Sequence, residues 1–517
     1  MIVTIESGVI CGIKCMPIKV EVDVSKGLPC FEMVGYLAGE VKEARERVRV
    51  AIKNMGIDIP PVRITVNLSP GNIYKSGTLF DLPIAVGILT ALGHIPEEYV
   101  KDIMIIGEVA LTGEIRPVRG VLPIVRRAVA DGIGNCIIPK ANLWEGAVVP
   151  DIKVIGVEDM AQVLEYLQLP FDKRDDYIAP AVFPPKGLSE IKPSGKAPDY
   201  SEISGQEGAK RAIEVAAAGL HNILMTGPPG AGKTMLAGRI TGILPPLNLQ
   251  ESLEVSEIYS VAGLLKENEA LITQRQFLNP HHTISEPALI GGGKIPRPGV
   301  ISLAHHSVLF LDEFGEFKRK TLDILRQPLE EKCINIARTY GNYTYPADFM
   351  LVAAMNPCPC GYFPDRNKCR CSEGEISRYF SKISGPVLDR IDICVEVAPV
   401  DIKQLNTASG AENSADIRKR VLRAWERQKE RFVDGNCCFN SGMSADEVKR
   451  FCKPDKGGRK LLDNVYKTMG LSVRRYHRIL KVARTIADLE NSDDIKECHV
   501  AEAVCYKGVE SKYEQFH

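Results

Sequence analysis

Apolar positions in residues 1 to about 175 follow two alternating rhythms. Short β-branched runs with period two, such as VRITVNL, IMIIGEVALTG and NCIIPK, predict strands. Between them, GEVKEARERVRVAIKNMG and LFDLPIAVGILTAL carry the wider spacing of helices. This interleaving predicts an α/β domain over 1–175. Over 176–200 the apolar rhythm stops in a Pro- and Gly-rich stretch, IAPAVFPPKGLSEIKPSGKAPDY, which reads as a linker. Strands and helices alternate again over 201–395. From 396 to 517 strand signals give way to amphipathic helical segments: ADIRKRVLRAWERQKERF, SADEVKRFC, GRKLLDNVYKTMG, VRRYHRILKVARTIADL and KECHVAEAVCYKG. The expected fold class is therefore α/β multidomain, with an α/β first domain, an α/β core on a parallel sheet, and a C-terminal helical lid.

Size agrees with that division, since 517 residues exceed a single core and correspond to about three domains of roughly 150 residues. With 65 basic and 65 acidic residues, no global field draws the chain to nucleic acid, so any such contact must be local. No apolar run is long enough to cross a bilayer, and the N-terminus MIVTIESGVICGIK lacks the basic and apolar blocks of a signal peptide. A cytoplasmic protein is expected. In that reducing compartment its 15 cysteines read as thiols or metal ligands rather than disulfides.

The segment NILMTGPPGAGKTMLAGRI places an apolar strand, a glycine loop and a helix in succession. Its loop is Gly227, Pro228, Pro229, Gly230, Ala231, Gly232, Lys233 and Thr234, the phosphate-binding pattern in its required context. Glycines let backbone N–H groups wrap phosphates, Lys233 neutralises their outer oxygens, and the Thr234 hydroxyl can bind Mg²⁺; ATP with Mg²⁺ is the expected cofactor pair. Downstream, SVLFLDEF ends an apolar strand in Asp312 and Glu313. An acid pair there is costly unless it serves a cation and a water: Asp312 for Mg²⁺, Glu313 for the attacking water. DFMLVAAMNP ends in Asn356, a neutral side chain able to orient that water. Arg390, in SGPVLDRID, reads equally well as an arginine finger offered to a neighbour in a ring and as a surface ion-pair residue.

Directly after Asn356, NPCPCGYFPDRNKCRC brings Cys358, Cys360, Cys369 and Cys371 into fourteen positions. Structural Zn²⁺ is the favoured reading, with free thiols and a redox switch kept open, because two C-x-C pairs are less diagnostic than two C-x-x-C pairs. Cys437 and Cys438 are adjacent and support no site. His281 and His282 lack an acidic partner at helical spacing and read as part of a loop insertion.

The order GPPGAGKT, FLDEF, AAMNPCPCG, SGPVLDRID and LSVRRYHRILKVARTIADL resembles the magnesium-chelatase-like branch of the AAA+ ATPases. More narrowly, PHHTIS, ALIGGG, PRPGVISLAH and the CPCG and CRC cysteines resemble the ComM (YifB) family, over essentially the whole chain. The resemblance implies a homohexameric ATP-driven motor, associated in that family with DNA branch migration during natural transformation. It also implies that Arg474 is a second sensor reaching the γ-phosphate from the lid, and that Gln206 of SGQEGAKRA lies near the adenine. Taken alone, Arg474 is one of five basic residues on an amphipathic helix most of whose charges face solvent.

KSGTLFDLPIAVGIL and GEVALTGEIRPVRGVLPIVRRAVADGIGNCIIPK resemble the Lon-type protease domain, which uses a serine and a lysine. Alignment puts Leu79 and Leu122 at those positions, so an inactive, interaction-type domain is expected, with recombination proteins as its candidate partners. Two insertions could line a ring's channel and meet DNA: EPALIGGGKIPRPGVIS, with Lys294 and Arg297, and a hairpin CINIARTYGNYTYPADF, with Arg338. The helix IRKRVLRAWERQKER carries seven basic residues against two acidic ones. It reads first as a solvated lid face with Trp425 in the core, and second as a DNA contact. The rivals to a DNA motor are a chelatase motor subunit and a nucleotide-switched regulatory module. Against the chelatase stands the expectation that likeness to such motors begins only near residue 200.

Overall fold

Alternation of buried and exposed positions drives the first sheet. In Ile2–Cys11 and Lys14–Ser25 the side chains of Val3, Ile5, Ile18, Val20 and Val22 are fully buried, and the two strands pair antiparallel from Ile2 opposite Asp23 to Cys11 opposite Lys14. In this computed structural model, which describes residues 2–170, 173–174, 198–266, 271–399, 412–432, 439–468 and 470–514, that pair lies within a seven-stranded sheet. Its order is Cys30–Val34, Arg63–Ser69, Lys14–Ser25, Ile2–Cys11, Ile103–Ile105, Asn135–Pro139 and Lys153–Val157. The last three strands run parallel to Ile2–Cys11. The helix Asp81–Ala91 is apolar all round and packs against both long strands, so it is buried on every side rather than half-exposed. Glu40 and Lys53 sit at opposite ends of the amphipathic helix Gly39–Asn54, where each opposes the local end of the helix dipole.

Leu79 and Leu122 are both buried in this first core. Apolar side chains thus fill the two positions where the Lon-type resemblance would need a nucleophile and a base. Lys75, beside Ser76, is also fully buried, its ammonium donates to the Pro70 carbonyl, and burial lowers its pKa.

The second sheet is wholly parallel, in the order Phe277–Leu278, Val308–Leu311, Met350–Met355, Ile223–Thr226 and Ile393–Glu396. Every residue of its second, third and fourth strands is buried, the continuous apolar run that a sheet covered on both faces demands. One face packs against Glu207–Gly219, Ser414–Arg431 and Val473–Leu489 in a single core, while Ile301, Phe314, Tyr345 and Ile376 belong to another core that includes Leu309, Leu311 and Leu351. The linker read at 176–200 lies outside the described residues up to 197. Its last residue, Tyr200, is fully buried in the second unit, with its hydroxyl donating to the Leu236 carbonyl at 2.9 Å.

Charged contacts join the two sheets' layers. The helix Val121–Ala130 lies along Leu249–Ala262: Arg126 meets Glu257 at 2.8 Å, and the Gly120 N–H donates to the Ser260 carbonyl at 3.2 Å. Buried Glu145 accepts from the Leu122 N–H at 2.8 Å and from the Ser260 hydroxyl, so the helix start that carries Leu122 is fastened to the second unit.

Candidate functional site

Parallel strands deliver their C-terminal ends to one edge of a sheet, and the three central strands here carry the predicted chemistry to that edge. Ile223–Thr226 runs into Gly227–Thr234, Val308–Leu311 into Asp312 and Glu313, and Met350–Met355 into Asn356. The glycine loop turns tightly, with Gly230 and Gly232 at φ +75° and +87°. Gly227 is required for a different reason: a Cβ there would stand 2.2 Å from the Val397 carbonyl oxygen.

Lys233 is largely buried, and its ammonium donates to the Gly227 carbonyl at 2.6 Å, the Pro228 carbonyl at 2.9 Å and Asn356 Oδ1 at 3.1 Å. Burial pulls its pKa below the ordinary lysine value, an effect that the nearby Asp312 carboxylate opposes. The Thr234 hydroxyl donates to Asp312 Oδ2 at 2.7 Å, so a hydroxyl and a carboxylate suited to Mg²⁺ stand side by side. Gln206, itself in the left-handed region at φ +61°, donates to the Ala231 carbonyl at 3.3 Å and to the Ala398 carbonyl.

Glu313 adopts φ +51°, its N–H donates to Asp312 Oδ1 at 2.9 Å, and its carboxylate lies 3.0 Å from His282 Nδ1. Sequence reasoning missed this partner. The acidic residue that His282 lacks at helical spacing is supplied by the neighbouring strand's end, because Phe277–Leu278 and Val308–Leu311 are parallel neighbours.

Arg390 and Arg474 meet at a single carboxylate. Arg390 donates to Glu330 and to the Pro386 carbonyl, and Arg474 lies 2.7 Å from the other Glu330 oxygen. Among the described residues the buried Arg390 Nε has no hydrogen-bond partner. Both arginines line a cavity of about 720 Å³ together with Asn222, Ser307, Met350 and Asp392. Those four stand at the N-terminal ends of the parallel strands, the edge opposite Lys233. Strands of four to six residues, at about 3.3 Å each, separate the two edges by roughly 13–20 Å. Arg474, expected to reach a γ-phosphate from the lid, therefore stands at the edge of the sheet opposite its own chain's phosphate-binding loop. Glu330 had no sequence signal, lying 60 residues from one partner and 144 from the other.

The four cysteines converge, as the metal reading among the alternatives requires. Cys358 Sγ lies 3.3 Å from Cys360 Sγ and 3.8 Å from Cys369 Sγ, Cys360 and Cys369 are 3.6 Å apart, and all four Sγ atoms, Cys371 included, fall within 4.8 Å of one another. A tetrahedral ion with metal–sulfur bonds of about 2.3 Å spaces its sulfurs by about 3.8 Å, so the donor set fits such an ion. The Gly361 and Phe363 N–H groups donate to Cys358 Sγ at 3.2 and 3.4 Å. Burial raises the Cys360 pKa, but hydrogen bonds from the Tyr362 N–H and the other thiols outweigh it and bring it down to about 6.

The basic insertions also come together. The hairpin Cys333–Arg338 with Gly341–Pro346 brings Arg338 Nε within 3.3 Å of the Gly293 carbonyl, and Lys294 lies 6.0 Å from the centroid of the Tyr340 ring. Tyr340 stacks on Tyr74 of the first unit at 4.1 Å between centroids, with Tyr36 beside both. Trp425 is buried, stacks with Phe439 and is covered by Lys429, which supports packing rather than a base-stacking role. Cys437 and Cys438 lie outside the described residues. No helix among those described is long and apolar enough to cross a membrane.

Family models agree with this architecture. A model described as magnesium chelatase, subunit ChlI, matches residues 199–405, its C-terminal counterpart matches 411–507, and one described as subunit ChlI of Mg-chelatase matches 20–142. The last match corrects the expectation that chelatase likeness begins near residue 200. Competence protein ComM of Haemophilus influenzae is 42% identical over 96% of both chains, and YifB of Escherichia coli 40% over 96% of both. An archaeal Lon protease of Pyrococcus abyssi is 31% identical over 34% of this chain and 17% of its own length. The chain therefore belongs to the magnesium-chelatase-type AAA+ family that includes ComM and YifB.

Proposed function

We propose that the protein is an ATP-hydrolysing AAA+ motor that works as a homohexamer on DNA, as a branch-migration helicase or translocase. The observation that supports the ring is the separation of Arg390 and Arg474 from Lys233 across the sheet, which suits two cations offered to a transferring phosphoryl group on a second subunit. Lys233 binds the β and γ oxygens, Glu313 takes the proton of the attacking water, and Asn356 orients that water. The Gly227–Thr234 backbone wraps the phosphates, and Gln206, which donates to the Ala231 carbonyl of that loop, lies near the adenine. Thr234 and Asp312 hold Mg²⁺, which supplies charge neutralisation at the phosphates when bound. Arg390 and Arg474 reach the neighbour's γ-phosphate once Glu330 releases them.

DNA as the load is supported by the convergence of Lys294, Arg338 and Tyr340, and by the competence name borne by the Haemophilus influenzae relative. A cytoplasmic location, with recombination proteins as partners of the first domain, belongs to the same reading. Cys358, Cys360, Cys369 and Cys371 hold a structural Zn²⁺ with a closed coordination sphere, which excludes a catalytic role for that ion. DNA-stimulated ATP hydrolysis is the test. Single-stranded or branched DNA is expected to raise the rate several-fold. Turnover indifferent to DNA would instead leave a chelatase-type motor or a nucleotide-switched module that remodels a protein.

A further inference from the structure

We infer that the four-cysteine loop is a metal-held buttress of the phosphate-binding loop, so that Zn²⁺ occupancy sets nucleotide affinity. The inference rests on the zinc reading above and adds a mechanical consequence to it.

The first link is Gly361, the residue after Cys360. Its N–H donates both to Cys358 Sγ at 3.2 Å and to the Cys358 carbonyl at 3.0 Å, so its position is set by a would-be ligand sulfur. The same residue lies flat against Pro229 of the phosphate loop: a Cβ on Gly361 would stand 2.4 Å from Pro229 Cδ and 2.8 Å from its Cγ. Gly361 also holds φ +86°, where an L side chain is strained. One residue therefore connects the sulfur cluster to the loop that wraps the phosphates.

The second link runs through the helix that begins where the cluster ends. Ser372, directly after Cys371, caps Glu373–Phe380 in a reciprocal pair with Glu375. From that helix the Tyr379 hydroxyl is hydrogen-bonded to the Asn356 backbone, and its ring covers Gly315, where a Cβ would lie 2.4 Å away. Gly315 follows Asp312 by three residues and Glu313 by two, and Asn356 precedes Cys358 by two. The cluster and its helix thus touch the phosphate loop, the acidic pair's strand end and the Asn356 strand end together.

Four thiols at these separations are held by a few weak hydrogen bonds, whereas a bound Zn²⁺ would cross-link positions 358 to 371. With the link made, Gly361 is fixed and Pro229 has a rigid surface behind it. Without it, the backing of the phosphate loop loosens.

The test pairs metal content with nucleotide affinity on the full chain. Elemental analysis of protein purified without chelator is expected to give about one zinc per chain, and binding of a fluorescent ADP is read by titration. The variant Gly361→Ala leaves all four thiols in place; it is expected to retain zinc yet bind nucleotide about tenfold or more weakly, because the new methyl must displace Pro229. Stripping zinc from the folded wild type with a thiol-modifying reagent and chelator, with circular dichroism unchanged, is expected to weaken binding comparably, and readdition of Zn²⁺ after thiol release to restore it. Cys369→Ser with Cys371→Ser should lose both zinc and affinity, and a folded double variant that binds nucleotide as tightly as the zinc-loaded wild type would overturn the buttress. Native protein free of zinc that binds nucleotide tightly would overturn the metal reading. Zinc-loaded protein whose affinity survives both stripping and Gly361→Ala would leave the metal in place and overturn the buttress.

Discussion

Lys233 directs its ammonium at three acceptors, two of them carbonyls of the loop it belongs to, and the third the Asn356 side chain. A γ-phosphate would compete for these same donors, so one side chain ties loop conformation to occupancy. Lys233→Ala removes both the charge and the tie and is expected to lower nucleotide affinity by about a hundredfold, a loss that equilibrium binding would reveal. Glu313 calls for a different outcome. Its carboxylate lies beside His282 and outside the loop's hydrogen-bond set, so Glu313→Gln should bind nucleotide normally and hydrolyse it about 10² to 10⁴ times more slowly. A Glu313→Gln protein with ordinary turnover would remove Glu313 from the chemistry. At this scale the sequence was informative where chemistry is local. Gly227 to Thr234, Asp312 and Asn356 each sit at a strand end that their own flanking residues announce. The pairing of His282 with Glu313 and the role of Glu330 were invisible because their partners arrive from other strands and helices, and no spacing rule spans such distances.

Elements show the same division between pattern and placement. The runs VRITVNL and NCIIPK form Arg63–Ser69 and Asn135–Pro139, and the five C-terminal amphipathic segments each form a helix, because burial on one face leaves a period in the sequence. Where the lid carries its arginines relative to the sheet is a matter of tertiary docking and left no such trace. Leu122, which the Lon-type resemblance aligns with the lysine, lies fully buried at the start of Val121–Ala130, so Leu122→Ala is expected to cost about 2–5 kcal/mol of stability by chemical or thermal unfolding. A loss well under 1 kcal/mol would place that side chain outside the core. The hairpin at 333–346 yields a functional prediction instead. Arg338 is exposed at its tip and makes no contact with the phosphate loop, so Arg338→Ala should spare basal hydrolysis, weaken DNA binding and reduce the steepness of its salt dependence by about one phosphate's worth. Unchanged salt dependence would move the DNA path elsewhere.

For the whole molecule the question is how two arginines on one edge of a sheet serve a phosphate on the other. Within one chain both stand on the edge opposite Lys233, and Glu330 pairs with them both. In a ring each subunit would present Arg390 and Arg474 to the next subunit's Lys233 and Glu313. Arg390→Ala should therefore bind ATP almost normally yet hydrolyse it poorly, since fingers acting between chains contribute about 10³ to 10⁵ in rate in related hydrolases. Mixing sharpens the test. A Glu313→Gln subunit lacks the base but keeps both arginines, and an Arg390→Ala subunit keeps its base but offers no finger. Next to each other, the first can donate its arginine to the second's intact pocket, so two proteins that are nearly inactive alone should recover measurable hydrolysis together. The recovery should disappear at dilutions where sizing finds monomers. An arginine acting within its own chain gives no rescue at any ratio. If subunits are seen to exchange between assemblies and mixing still yields nothing, Arg390 serves only to pair with Glu330, and the separation across the sheet is structural rather than catalytic.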